Sequence, residues 1–364
     1  MSKLLIISII INCSIVSIMA QYNKANLSFA DEAPSVENQR FTYKNLRLYP
    51  ITARESFNQA HQLVGDYLSL KDALSSGKAI VIEQDTSNPN HIDSIQTDND
   101  QQNNQLNRPA HRNHQHANQQ MNVQQRITGG GGAARVNGLF IENKSNDTLL
   151  ILAGEVVKGG KQDRVIAQDM LIPPKSGLVN LSVFCVEKSR WSYKTDSKGF
   201  GEYFNVSNMS VRATAAGGKG QTAVWDEVDK VTKKQNVTDN STGSYTSLAT
   251  STEWKQNLTE YVNHFTKTFE NEPNIIGVVV VTGDKVLGCD MFATPALFRN
   301  HFSNLLHSYI TEAITHGAPV TIKTDIVSAY LDKILLDENK QEENVKKNGT
   351  YLKNKNAKIH ISTF

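Results

Sequence analysis

Residues 84–134 set the first constraint on how this chain folds. Gln101-Gln-Asn-Asn-Gln105, His111-Arg-Asn-His114-Gln-His116 and Gly129-Gly-Gly-Gly132 follow one another with few apolar residues between them. A tract of this kind buries too little apolar surface to offset the entropy of ordering it, so it is expected to be a disordered insertion rather than core. Its three histidines invite a metal reading. No carboxylate or thiol on a fixed element accompanies them, and a solvated linker is the better account. With the insertion set aside, the flanking segments have to fold on each other. Ala79-Ile-Val-Ile82 reads as a buried strand and residues 136–142 as the next, so the two are expected to be neighbours joined by an overgrown hairpin loop.

The rest of the chain alternates between the two periodicities that specify secondary structure. Phe41-Thr-Tyr-Lys-Asn-Leu-Arg-Leu48 alternates as a strand, and Tyr67-Leu-Ser-Leu-Lys-Asp-Ala-Leu74 reads as a short helix stopped by Gly77. Residues 136–142 and 149–152 flank the polar cluster Asn143-Lys-Ser-Asn-Asp147, a hairpin pattern. Residues 164–172 and 177–187 form a second strand pair, joined at Pro173-Pro174-Lys-Ser-Gly177. Helical spacing then takes over. Val224, Trp225, Val228 and Val231 share one face, and Thr250-Ser-Thr-Glu253 is a capping-box pattern opening a helix through Trp254, Leu258, Tyr261, Phe265 and Phe269. Residues 275–281 and 285–292 read as strands joined at Thr282-Gly-Asp284, and Thr294-Pro295 opens a long helix with Leu297, Phe298, Phe302, Leu305, Leu306, Tyr309 and Ile310 inward. An amphipathic stretch at 325–335, a polar tract at 337–356 and a last strand at 358–364 complete the chain.

These elements predict an α+β fold, a mostly antiparallel sheet core with the C-terminal helices packed on it. Regular βαβ alternation is absent, which disfavours a doubly wound nucleotide fold. A single domain over 40–364 is the simplest organisation, because the late strands need earlier ones to pair with. Ahead of it, Lys3 precedes an apolar run ending Ile18-Met19-Ala20, the pattern of a secretory signal cleaved after residue 20; residues 21–39 would then be a flexible segment. The run is at the lower edge of what spans a bilayer, so no stable membrane insertion is expected after cleavage, and the protein is expected to be secreted or periplasmic. Cleavage leaves Cys185 and Cys289, for which two buried thiols is the favoured reading over a disulfide. A formal net charge of +2 without a clustered basic face gives no case for nucleic acid.

Residues 149–191 carry the chemistry. Leu149-Leu-Ile-Leu-Ala-Gly154-Glu155 is followed by Lys158-Gly-Gly-Lys161-Gln162-Asp163-Arg164, and later by Phe184-Cys185-Val186-Glu187-Lys188-Ser189-Arg190-Trp191. Ionisable groups at the ends of buried strands are costly unless paired or used. Alternation puts Cys185 and Glu187 on one face about 6.5–7 Å apart. Three strand ends are therefore expected to bring Glu155, Lys161, Gln162, Arg164, Cys185, Glu187 and Arg190 into one cluster, with Trp191, Gln221, Trp225 and Asp290 as further contributors. Structural ion pairs, an inert thiol and packing indoles are the competing explanations for the individual residues. A phosphate-loop reading fails: Gly160-Lys161 sits one residue too far from Gly154, and Gln162 replaces the magnesium-binding hydroxyl. No zinc spacing or cofactor fingerprint appears, and no cofactor is expected.

At these same residues the chain resembles the ARG and Rhodanese-Phosphatase-superfamily-associated protein domain family. The likeness rests on Tyr67-Leu-Ser-Leu with Ala73-Leu74, Gly154-Glu155, Gly159-Gly160-Lys161-Gln162-Asp163-Arg164, Cys185-Val186-Glu187 with Arg190-Trp191, Gln221 with Val224-Trp225, and residues 288–292. The resemblance implies an association with ADP-ribose or related nucleotide metabolism and brings no established activity. Three function classes follow. In the first, a pocket binds a small anionic molecule, with a nucleotide or ADP-ribose-like compound as candidate: Lys161, Arg164 and Arg190 hold it, Gln162 orients it, Trp191 or Trp225 stacks on it, and Gln221 and Asp290 contribute from further away. In the second, a hydrolase or transferase uses Glu155 and Glu187 as acid and base, or Cys185 as nucleophile. In the third, an interaction module uses the polar cluster only structurally. The first is the preferred reading, and whether any reaction is catalysed stays open.

Overall fold

Ile275–Thr282 is buried along its whole length, because its β-branched and apolar side chains face a core on both sides. It is the third strand of an antiparallel sheet ordered Leu27–Phe29, Leu46–Ala53, Ile275–Thr282, Lys285–Phe292, Ala357–Thr363 and Gly349–Asn354, with Thr42–Tyr43 also pairing to Leu46–Ala53. The computed structural model describes residues 21–29, 36–83, 138–190, 199–237, 240–335 and 338–364. The expected signal at 1–20, the expected insertion at 84–134 with its three histidines, and Trp191 lie outside the described residues.

Alternation along this sheet creates two cores. Leu46, Leu48, Val278, Val280 and Phe292 face the helices Thr252–Phe269 and Pro295–His316 through Phe265, Leu305, Leu306, Tyr309 and Ile310. Tyr49, Ile51, Val279, Val281, Met291 and Ile361 face Phe57 of Glu55–His61 and Val327, Leu331 and Ile334 of Thr324–Ile334. The fold is α+β, as the sequence pattern predicts. Both long helices start where side chains satisfy the free N–H groups. Thr294 accepts from Leu297 N–H ahead of Pro295. The expected capping box is displaced by one residue: Ser251 is the cap, because Thr250 closes a 3-10 turn and gives its hydroxyl to the Ser247 carbonyl.

The remaining strands form three small sheets around a separate core of Val81, Leu139, Ile141, Leu149, Ile151, Val157, Ile166, Ile172 and Leu181. Ala79–Glu83 pairs antiparallel with Leu139–Asn143, so the segments flanking the insertion are neighbours as expected. The expected hairpin between residues 136–142 and 149–152 does not form. Leu139–Asn143 pairs on its other side with Val179–Leu181, whereas Leu149–Ile151 pairs with Met170–Ile172 and, in parallel, with Leu68–Ser69. Asn143 is the cause. Its Nδ2 donates to the carbonyls of Asp147, Ile172 and Pro173, while its Oδ1 accepts from Ser145, which holds the turn wide and sends the chain into a different sheet. The second expected pair is real only at one end. Arg164–Ile166 pairs with Val183–Cys185, and beyond Ala167 and Ser182 the two arms separate into different sheets.

Three boundaries differ from the pattern reading. The stretch 41–48 is a tight hairpin of Thr42–Tyr43 and Leu46–Ala53, with Lys44 at φ 49° in its turn. The helix near residue 70 starts at Leu70, because the Ser69 hydroxyl accepts from Asp72 N–H. The tract 337–356 holds the helix Glu338–Lys347 and the strand Gly349–Asn354. Its charged residues hide the helix from an apolar period; Val345 and Gln341 are buried, the latter donating to the carbonyls of Ile334 and Tyr22. Among the described residues no helix is long and apolar enough to cross a membrane.

The tight strand spacing makes a stability prediction. A Cβ on Gly277 would run into the Asp290 carbonyl and lie 2.8 Å from the Met291 Cα. Gly277→Ala is expected to destabilise by roughly 2 kcal/mol or more, in the range of overpacked cores, with urea unfolding as the measurement. Gly201→Ala, where a Cβ meets nothing within 4 Å, is the control and should leave the midpoint unchanged.

Candidate functional site

The strand Glu155–Lys158 turns back through Gly159-Gly160-Lys161-Gln162-Asp163 into Arg164–Ile166, and the charges of this turn are met by protein partners. Arg164 is fully buried, and its Nη2 donates to Glu83 Oε1 at 2.6 Å while Nη1 donates to the Gln162 carbonyl at 2.6 Å. The other Glu83 oxygen accepts from Lys161 N–H at 2.9 Å. Asp163 accepts from Gly159 N–H at 3.1 Å, Thr246 Oγ1 at 2.7 Å and Ser244 Oγ at 3.1 Å. Glu187 accepts from Asp163 N–H at 3.1 Å and from Arg190 Nη2 at 2.6 Å. Arg190 also donates to the Gly160 carbonyl at 2.7 Å and lies 3.5 Å from the Asp163 carboxylate. Glu83, Asp163 and Glu187 are thus engaged by Arg164, Arg190, two hydroxyls and the backbone N–H groups of the turn.

Cys185 sits beside this group as a buried free thiol, as does Cys289 in the other sheet. Burial pushes the Cys185 thiol up, with Arg164 opposing and Glu83 and Glu187 adding to the rise, which keeps it protonated at neutral pH. Its backbone is closed by Gln221, whose Nε2 donates to the Cys185 carbonyl at 2.7 Å and whose Oε1 accepts its N–H at 2.8 Å. The side chain of Gln221 therefore stands in for a neighbouring strand and ties the helix Gln221–Lys234 to the sheet. Two polar atoms nearby are buried without a partner, Gln162 Oε1 and Trp225 Nε1. Lys188 links them: its carbonyl lies 3.5 Å from Gln162 Nε2, and its exposed ammonium lies 6.0 Å from the centre of the Trp225 ring.

The expected convergence on one cluster is not observed for Glu155 and Asp290. The register Val156↔Val165 and Val157↔Arg164 puts Glu155 at the opposite end of the strand pair from Arg164, with apolar Val157 and Ile166 between them. Glu155 is fully buried, accepting from Leu152 N–H at 2.9 Å and from the Tyr203 hydroxyl at 3.2 Å. Burial pushes its carboxyl up to about 8, against the pull of those two hydrogen bonds. Asp290 belongs to a second buried network. It accepts from Arg212 at 3.0 and 3.2 Å, from the Tyr309 hydroxyl at 2.6 Å and from His360 Nε2 at 3.2 Å. His360 Nδ1 donates to Asp169 at 2.7 Å, which also accepts from Thr350 Oγ1 and from Ala153 N–H. Burial works against a charged His360, but Asp169 and then Asp290 outweigh it and raise the ring to about 9. Gly154 at φ +94° lets Arg212 pass, since a Cβ there would lie 2.9 Å from the Arg212 Nε.

Pattern reasoning missed Glu83, Ser244 and Thr246 in the first network and Asp169, Tyr203, Arg212, Tyr309 and His360 in the second. Two carried a signal. His360 lies between Ile359 and Ile361 on the other face of a buried strand, and Arg212 interrupts the small apolar run from Met209 to Ala216. Among the described residues no group of three or more His, Cys, Asp or Glu side chains is arranged to hold a metal ion.

A domain of this make, an antiparallel sheet with helices on both faces joined by buried ion pairs to three smaller sheets, is an α+β domain in which the turn 159–163 carries the residues of the family resemblance. The ARG and Rhodanese-Phosphatase-superfamily-associated Protein domain matches residues 36–363, and the chain belongs to that family. No curated protein and no solved structure matches it.

The two networks predict different responses. Arg164→Met leaves Glu83 buried and unpaired and is expected to cost roughly 3–5 kcal/mol in urea unfolding, most of it recovered in the Glu83→Leu/Arg164→Met double variant. The second network predicts a loss of stability in alkali. His360, raised from 6.5 to about 9, contributes stability that is complete below pH 6.5 and is lost as pH rises through about 9. Glu155, raised from 4.5 to about 8, has the same sign, complete below pH 4.5 and lost toward pH 8. Urea midpoints measured at pH 6, 8 and 10 should fall, and Glu155→Gln should flatten the fall up to about pH 8.

Proposed function

We propose that this domain binds a small hydroxylated anion, of the sugar phosphate or nucleotide class, against Gln162, Lys188 and Trp225. The observation that carries the reading is the pair of buried, unpartnered groups flanking Lys188: an acceptor, Gln162 Oε1, and a donor, the Trp225 indole N–H. Buried polar groups in native proteins nearly always have partners, so two such groups beside an exposed ammonium fit a ligand that offers a hydroxyl to one and an anionic oxygen to the other. Arg164 does not serve as the direct anion contact, because its guanidinium is buried and engaged by Glu83 and the Gln162 carbonyl. Its role in this reading, shared with Arg190, is to fix the turn that presents Gln162. Half-buried Lys161 lies in the same turn and adds positive charge.

Binding is favoured over catalysis because the two candidate groups nearest this turn are engaged otherwise. Cys185 is held as a thiol, and Glu187 is tied to Arg190 and to Asp163 N–H. The test is calorimetric titration of the full chain with a panel of sugar phosphates, nucleotides and ADP-ribose. At least one should bind, and Trp225→Phe, Gln162→Ala and Lys188→Ala should each weaken it about tenfold or more. A folded protein that binds nothing in the panel, or binding untouched by Lys188→Ala and Trp225→Phe, would refute the reading.

A further inference from the structure

Residues 21–29 lie directly behind the cut expected after residue 20, and they are docked on the fold rather than trailing from it. Tyr22 is 1% exposed, with its ring edge-on to Phe57 and His61. Its hydroxyl donates to the Lys358 carbonyl at 3.1 Å, and its own carbonyl accepts from Gln341 Nε2 at 3.1 Å. Leu27–Phe29 then pairs with Leu46–Ala53 as the first strand of the large sheet. Between these anchors the chain turns on Asn23. Its Oδ1 accepts from the N–H groups of Ala25 and Asn26 at 3.0 and 3.1 Å, while its Nδ2 donates to Gln21 Oε1 at 3.2 Å. Asn26 Nδ2 donates to the Gln21 main-chain carbonyl at 2.8 Å. Half-buried Gln21 is therefore engaged at both of its oxygens.

An amino-terminal glutamine carries a nucleophile and an electrophile on one residue. Once the peptide bond to residue 20 is cut, the Gln21 α-amine and its own Cδ are tethered so that their joining closes an unstrained lactam ring, an intramolecular step favoured by proximity. The unprotonated amine attacks Cδ; the N–Cδ bond forms as the Cδ–Nε2 bond breaks, and Nε2 takes one amine proton and leaves as ammonia. No oxidant, reductant or co-reactant enters. An α-amine with a pKa of about 8 is partly unprotonated at neutral pH. Negative charge develops on Oε1 in the tetrahedral intermediate, and Asn23 Nδ2 is the donor at that oxygen. The lactam retains both oxygens that Asn23 and Asn26 engage. It also removes a cation next to Tyr22, whose ring already covers the buried Lys358 ammonium at 5.6 Å from its centre.

We propose that Gln21 becomes the amino-terminal residue and closes to pyroglutamate, with Asn23 as the donor to the reacting amide oxygen. The inference rests on the expected signal cleavage, and the test reads the cut and the ring separately. The full chain, with its residues 1–20, is expressed in a secreting host, purified, and incubated at neutral pH. Its first peptide should start at residue 21 and be lighter by one ammonia, and Edman degradation of that peptide should release nothing until pyroglutamyl peptidase exposes Tyr22. Gln21→Ser, which has no side-chain amide, should keep its full mass and sequence from residue 21. Asn23→Asp keeps the acceptor of the turn and removes the donor. With a tag in place of residues 1–20 cut off in vitro, its ring closure at about pH 9, above the α-amine pKa of about 8, should be about tenfold slower than that of the wild type. A first residue other than Gln21 overturns the inference, as does Gln21 recovered at full mass after incubation. Closure in Asn23→Asp at the wild-type rate overturns the part given to Asn23.

Discussion

The Asp290 carboxylate is the joint on which the two parts of the molecule turn. Fully buried on the strand Lys285–Phe292, it takes donors from three other elements: the two Nη groups of Arg212, the Tyr309 hydroxyl and His360. Arg212 continues to the Ala153 carbonyl and His360 to Asp169, which returns to Ala153 N–H. The large sheet is thus bolted to the smaller ones through two carboxylates and two cations, a neutral set. Taking four charges out of water is expensive, and the attraction among them returns little beyond that cost. Moving any one of the four away would leave a buried charge without its partner, and the left-handed Gly154 leaves room for Arg212 to reach through.

Much of this framework was legible from apolar periodicity. The core stripes of Thr252–Phe269 and Pro295–His316 and the central hairpin of Ile275–Thr282 with Lys285–Phe292 follow from spacing, because in each the burial is decided locally. So does the pairing across the insertion, since Ala79–Glu83 and Leu139–Asn143 alternate in matching phase. What spacing does not encode is which strand a given strand leaves for. The turn at Asn143 looks like a hairpin because its residues are hairpin residues, yet its side-chain amide reaches the carbonyls of Ile172 and Pro173, some thirty positions away in sequence. A long-range hydrogen bond of that kind has no local signature.

The candidate site divides in the same manner. The density of ionisable residues between Gly154 and Arg190 correctly marked a place where charge is buried, and Lys161, Gln162, Arg164, Cys185, Glu187 and Arg190 do come together. Glu155 separates from them for a reason of register, since Val157 faces Arg164 and Glu155 lies two positions further along the strand. Several partners come from elsewhere: Glu83 from the strand before the insertion, Ser244 and Thr246 from a turn eighty residues on. Nothing in those residues, taken singly, distinguishes them from ordinary loop or strand-end residues.

The distribution of unsatisfied groups then argues which parts are framework and which are surface for something else. In the Asp290 network the carboxylates and both His360 nitrogens are engaged, and in the turn at Asp163 the carboxylates of Glu83, Asp163 and Glu187 are engaged as well. Gln162 Oε1 in that turn and Trp225 Nε1 on the helix Gln221–Lys234 are buried without a hydrogen-bond partner in the protein. A buried polar atom next to a rigid, neutral framework cannot be relieved by a small shift, because the framework resists the movement. Ordered water or a bound molecule is then what satisfies it.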